Sequence, residues 1–145
     1  MSEKENAQLA EQVVAAINAR DFERYASLLD ESYVVESEML PGPIRGREAA
    51  RQAMEMRVAA FPDMRVEIEQ ILTSGDYVVI RARTTGTHKG TFAGIAATNK
   101  SVNVSGCTVT EIRNGKAIRT KGYADNVSML QQLGVLPLGK TASAG

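Results

Sequence analysis

The sequence is poor in the residues that build metal and redox sites. Its 145 residues include one cysteine, Cys107, and one histidine, His88. A single cysteine excludes an internal disulfide and a cysteine-rich zinc site. A single histidine excludes any site that needs two or three imidazoles. No metal or organic cofactor is therefore implied. Tryptophan is absent. Neither sign of charge is in excess, since 17 Lys+Arg balance 17 Asp+Glu. A nucleic-acid binder needs a basic excess or a basic stripe, and the chain has neither. No stretch approaches the ~20 apolar residues that span a bilayer. The first dozen residues lack the basic start and apolar run of a signal peptide, so the expected location is cytoplasmic, away from membranes. Phosphate-cradling glycine loops are missing too; Gly86-Thr-His-Lys-Gly90 does not match one.

What remains is the composition of an ordinary globular domain, 43% hydrophobic and 23% charged. A chain of this length buries roughly 68–70% of its unfolded surface, enough for a core without covalent staples. We read a single domain over 1–138 and a small, polar, flexible tail over 139–145.

The first half has helical periodicity. Leu9, Val13 and Ile17 recur every fourth residue and predict a helix over Glu3–Ala19. Asp21 is placed to cap a second, shorter helix that carries Tyr25 and Leu28. A short strand candidate covers 33–36. After the Pro41-Gly-Pro43 loop, a third helix is expected over 47–61, with Ala50, Met54, Val58 and Phe61 inward. Pro62 ends it, because the residue before a proline is pushed out of the α region.

Beyond Pro62 the period changes to two. Met64, Val66 and Ile68 alternate with charged residues and predict a half-buried strand reaching Leu72. Long strands follow at 77–88 and 102–113. Asn114-Gly115 is a strong signal for a type I′ hairpin returning along 116–124. A last helix runs over 125–133 and is closed by Gly134. Helices, then a block of strands without a βαβ rhythm, indicate an α+β fold with helices segregated to one face of an antiparallel sheet. A strongly twisted sheet of this kind, with helices across its mouth, forms a cone whose open end accepts a small molecule.

Several residues carry chemistry. Asp125 can serve as general acid and base if an apolar pocket raises its pKa; alternatively it is only an N-cap. His88 can orient a carbonyl or donate a proton, or lie at a strand end facing solvent. Tyr25, Tyr33 and Tyr123 can donate to an enolate oxygen. Tyr123 is favoured because, two residues from Asp125 in an extended strand, it shares that residue's face unless a bulge intervenes. Glu36 and Glu38 follow the short strand near the expected mouth, where one of them can pair with a second acid. Met54 can line an adaptable pocket or fill core. Arg81 and Arg83 share a strand face and can pair with Glu111, most naturally on the outer side of the sheet. Cys107, mid-strand, is read as an inert thiol.

Four segments carry a resemblance: Arg45-Gly-Arg-Glu-Ala49; Phe61-Pro-Asp-Met-Arg-Val66; Gly86-Thr-His-Lys-Gly-Thr-Phe-Ala-Gly94 with Ala97-Thr-Asn-Lys100; and Asn114-Gly-Lys116 followed by Asp125 and Leu130-Gln-Gln-Leu-Gly134. In this order and spacing the chain resembles the SnoaL-like polyketide cyclases of the NTF2-like superfamily. The resemblance implies an NTF2-like cone, a curved antiparallel sheet with three to four helices on its concave side. It implies cofactor-independent acid/base chemistry, an aldol-type cyclisation or related isomerisation, on a small apolar or aromatic-precursor substrate bearing a carbonyl. The family's acid/base position matches Asp125, with His88 and Tyr123 as polar supports. Glu38, Tyr33, Met54 and Phe92 make up the expected substrate-binding set. Where relatives carry a His-Asp pair this chain has Ser37-Glu38, and where they carry tryptophan in the final strand it has Lys121. A homodimer through the open sheet face is expected. The competing readings are a non-catalytic ligand-binding module and a dehydratase, isomerase or epoxide hydrolase of the same superfamily.

Overall fold

The computed structural model describes residues 2–137; the tail expected over 139–145 lies outside them. Helix α1 (Glu3–Ala19) opens with a capping box in which Ser2 and Glu5 satisfy each other's backbone amides. Helix α2 (Phe22–Ser27) starts at Asp21, whose carboxylate accepts from the Arg24 amide. Strand β1 (Leu29–Ser37) and a two-residue strand β2 (Ile44–Arg45) precede helix α3 (Arg47–Ala60). Four long strands follow, β3 (Arg65–Ser74), β4 (Tyr77–Thr87), β5 (Ser101–Arg113) and β6 (Lys116–Ala124), and then helix α4 (Asn126–Gln132). Asn114 and Gly115, both at positive φ (51° and 76°), form the β5–β6 turn. No helix among the described residues is long and apolar enough to cross a membrane.

All six strands form one sheet in the order β2-β1-β6-β5-β4-β3. Five strand pairs are expected from that order, and four are antiparallel; β1 runs parallel to β6. The fold is the expected α+β one, but the sheet is not wholly antiparallel. The parallel pair arises because β1 reaches the sheet through the helical half of the chain and closes against its last strand. A connection that long leaves strand direction free, whereas hairpins impose antiparallel pairing.

The concave face of the sheet is covered by α1, α2 and α3. Along β4 and β5 the even-numbered residues face it: Val78, Ile80, Val102, Val104 and Ile112 are all buried. Two apolar clusters result. One lies under α1 and joins Leu9, Leu28, Val78, Ile80 and Ile112. The other gathers Tyr25, Leu29, Tyr33, Phe61, Val104, Met129 and Leu133, with Met54, Val58, Phe92 and Ile95 packed against it.

The β5–β6 ladder contains the feature that decides where side chains point. Glu111 pairs with Arg119, but Ile112 pairs with Ala117, so Ile118 has no opposite number. This bulge shifts the alternation by one. Beyond it Thr120, Gly122 and Ala124 face the helices, while Lys121 and Tyr123 face away.

Candidate functional site

Between α3 and the centre of the sheet, the concave wall is made of small and hydroxylated residues. Thr108 and Thr110 on β5 and Thr120 and Gly122 on β6 occupy inward positions, yet each stays partly accessible. Flanking positions on β1 and β4 are fully buried, among them Tyr33, Val78 and Ile80. An accessible stretch of inner wall thus lies between buried flanks. The Thr110 and Thr120 hydroxyls lie 2.9 Å apart across it, with the Tyr33 phenol against Thr120.

His88 lies just past β4 and is fully buried, 0% exposed. Its ring stacks on Phe61 with centroids 5.2 Å apart, and Phe92 meets Phe61 edge-on. The ring also ties down the loop that follows. The Thr98 amide donates to Nδ1 at 3.2 Å and the Thr98 hydroxyl lies 3.0 Å from the same nitrogen. Backbone bonds from His88 N–H to Lys100 O and from Asn99 N–H to His88 O complete the clamp. A backbone amide can only donate, so Nδ1 is the acceptor and the neutral ring carries its proton on Nε2. That Nε2–H is buried and has no partner. Two other buried polar atoms among the described residues are orphaned, Asn6 Oδ1 and Asn126 Oδ1, and both are acceptors. An orphaned donor costs about 1–3 kcal/mol, which a ligand oxygen recovers.

Two tyrosines line the same cluster. Burial raises the Tyr25 pKa to about 12 and raises that of Tyr33 further, with the neighbouring Tyr25 adding to the shift. Both are therefore neutral donors at ordinary pH. Arg57 sits beside Tyr25 on α3. With residues about 100° apart around a helix, Arg57 falls about 20° from Ala50, in the centre of the buried stripe. Its side chain is half-buried, its pKa is lowered by desolvation, and no carboxylate pairs with it among the described residues.

Several expected site residues stand elsewhere. Asp125 is exposed and caps α4, accepting from the Ser128 amide at 3.0 Å and the Ser128 hydroxyl. Those bonds lower its pKa, the reverse of the expected rise. The Ile118 bulge turns Tyr123 outward, where it is 50% exposed beneath the Lys121 ammonium. Glu38 is exposed and pairs with Lys121 at 3.0 Å, and Glu36 pairs with Arg119 at 3.0 Å. Tyr33, Met54 and Phe92 do gather in the apolar cluster beside His88's partner Phe61. Arg81 and Arg83 lie on the outer face as expected, but pair with Glu69 rather than Glu111. The preference among tyrosines is thus reversed, Tyr25 and Tyr33 lying inside. Arg57 was legible from the spacing Ala50, Met54, Arg57, Phe61, where a step of three brings a charge onto the apolar stripe. Among the described residues, no three His, Cys, Asp or Glu side chains gather to hold a metal.

The family model described as SnoaL-like polyketide cyclase matches residues 7–133. No curated protein matches the chain. Among solved structures, AclR of Streptomyces galilaeus, titled as a candidate hydroxylase, is 27% identical with a TM-score of 0.81, covering 94% of this chain and 100% of its own. IdmH of Streptomyces antibioticus, titled as a candidate polyketide cyclase, is 27% identical with a TM-score of 0.77, over 90% and 99% of the two chains. A Catenulispora acidiphila protein titled as having a ketosteroid isomerase-like fold has a TM-score of 0.76 at 21% identity, over 89% and 93%.

Proposed function

The chain belongs to the SnoaL-like polyketide cyclase family, and from that premise we propose that it is a small-molecule enzyme promoting enolate chemistry, an aldol-type cyclisation or isomerisation, on an apolar carbonyl compound. The observation that carries this reading is the orphaned Nε2–H of His88, whose buried ring stacks on Phe61, with Phe92 meeting Phe61 edge-on. A carbonyl oxygen seated against that donor gains charge as the enolate forms. The hydrogen bond strengthens in step, and the donor is already fixed by Thr98, so little reorganisation is needed. With Nδ1 committed to accepting from Thr98, His88 acts as a donor and not as a base. The proton leaving the α-carbon passes to water.

A second reading, a binder without turnover, is favoured by one observation. Asp30, Glu36, Glu38 and Asp125 are engaged with Ser32, Arg119, Lys121 and Ser128. The two readings separate by α-proton exchange in D2O, followed by NMR, with 1-phenyl-1,3-butanedione as probe. His88→Asn removes Nε2–H while its amide oxygen can still accept from Thr98. We expect wild-type protein to accelerate exchange, and His88→Asn to lose about 10²–10³ of that rate. Binding without acceleration establishes the second reading and overturns the first.

A further inference from the structure

His88 is 0% exposed, so no ligand reaches its Nε2–H while the surrounding chain keeps this arrangement. A neighbouring segment has to move, and the hydrogen bonds show which one is free to do so. The ring sits at the base of the connection between β4 and β5. A hairpin needs only about 2–5 linking residues, yet 88–100 intervene here. Both ends of that connection are bonded to the body. Lys89 N–H and Gly90 N–H donate to Ala60 O at the end of α3, at 2.8 and 3.1 Å. At the other end Thr98 N–H bonds Nδ1 and Asn99 N–H bonds His88 O. Between these anchors, residues 91–97 make two hydrogen bonds among the described residues, and both are internal: Phe92 N–H to Ile95 O at 2.9 Å and Ile95 N–H to Phe92 O at 2.8 Å. They close a turn at Ala93 (φ 49°) and Gly94 (φ 78°). Ala93 thus stands in the left-handed region, which costs a residue with a Cβ. The hairpin is held to the body by Phe92 and Ile95, both partly buried against the apolar cluster. Phe92 lies edge-on to Phe61, the ring on which His88 stacks. The other short element over this cluster, α4, is pinned: Asn103 N–H donates to Gln132 Oε1 at 2.7 Å and Gln132 Nε2 donates to Asn103 O at 3.0 Å.

We propose that residues 91–97 are a flap, hinged between the Ala60 and Thr98 anchors, which lifts off Phe61 to admit a ligand to His88. The proposal rests on the enolate reading above for the chemistry of that ligand, an apolar ketone, and adds the route by which it enters. Lifting the flap breaks no hydrogen bond to the body. It gives up apolar contact alone, and the apolar part of a ligand restores that contact when it replaces Phe92 against Phe61. Thr98 belongs to the anchor and not to the flap. Its amide therefore still occupies Nδ1 when the flap is raised, and the proton stays on Nε2. The donor is set before the ligand arrives.

Hydrogen exchange in ¹⁵N-labelled protein tests this, with the Nε2–H of the lone histidine as the reporter of access. Ile95→Ala leaves the turn and the anchors in place and removes part of what holds the flap down. Its Nε2–H should exchange with solvent about tenfold faster than in wild type, because less buried surface opposes the local opening. Ile95→Val, which keeps most of the contact, should stay within about threefold of wild type. The amides of His88 and Gly90, and those of β4 and β5, should keep their wild-type protection in both variants. In stopped-flow mixing, 1-phenyl-1,3-butanedione should associate faster with Ile95→Ala than with wild type. Unchanged Nε2–H exchange in Ile95→Ala overturns the flap. Acceleration shared by the His88 amide also overturns it, since the anchor or the whole fold then opens instead. Faster exchange with an unchanged association rate overturns it too, by placing the ligand's route elsewhere. A protein that shows the selective acceleration yet binds no diketone keeps the flap and loses the enolate reading.

Discussion

At the scale of single residues, local geometry overrides sequence position. Asp125 holds the position at which the resemblance led us to expect an acid/base, yet its oxygens are held by Ser128. A carboxylate that accepts two hydrogen bonds in water prefers to stay ionised, which is why its pKa falls. Because the folded-state pKa lies below the unfolded one, the cap stabilises the protein above the usual carboxylate pKa of about 4 and ceases to do so as pH drops through the folded value. Asp125→Ala should therefore lower the melting temperature by a few degrees at pH 7 and make no difference at strongly acid pH. The variant should keep the α-proton exchange rate of wild type. A loss of exchange with an unchanged melting temperature would return Asp125 to the chemistry. His88 shows the converse. Nothing in the segment Gly86-Thr-His-Lys reveals that its ring is buried, since the partner that fixes its tautomer, Thr98, lies ten residues away.

At the scale of elements, much was readable. Capping residues, the third helix ended by Pro62, the period-two strands and the Asn114-Gly115 turn follow from local rules that need no tertiary knowledge. The parallel β1–β6 pair did not follow, because it joins segments about eighty residues apart. Nor did the Ile118 bulge, whose one-residue shift reverses the side of the sheet that Lys121 and Tyr123 occupy. The bulge is why Tyr123 stands on the outer side, while Tyr33, Met54 and Phe92, whose placement does not depend on it, share the inner apolar cluster. Two inward glycines on neighbouring strands offer a contrast. A Cβ on Gly106 would stand 2.6 Å from the Tyr123 carbonyl oxygen, whereas one on Gly122 would meet Ser37 Cβ at 3.7 Å, an ordinary contact. Chemical denaturation should show Gly106→Ala destabilised by about 1–3 kcal/mol, the cost of overpacking against backbone. Gly122→Ala should fold with near-native stability. Equal denaturation midpoints for the two variants would contradict this placement of the strands.

At the scale of the molecule, the sheet divides the chain into two chemical surfaces. Its outer face carries the ion pairs of Glu36, Glu38 and Glu69 with arginine and lysine. Its inner face carries a buried donor without an acceptor, the His88 Nε2–H, in a fold whose apolar cluster also holds two neutral tyrosines. That donor is complementary to the carbonyl oxygen of the proposed substrate. The lone histidine makes this claim directly measurable, because ¹⁵N-labelled protein yields one imidazole and no assignment is needed. The account predicts a neutral ring protonated at Nε2, with an Nε2–H resonance that moves as 1-phenyl-1,3-butanedione is added and saturates with its binding. A proton found on Nδ1, or an Nε2–H resonance indifferent to the bound ketone, would contradict it.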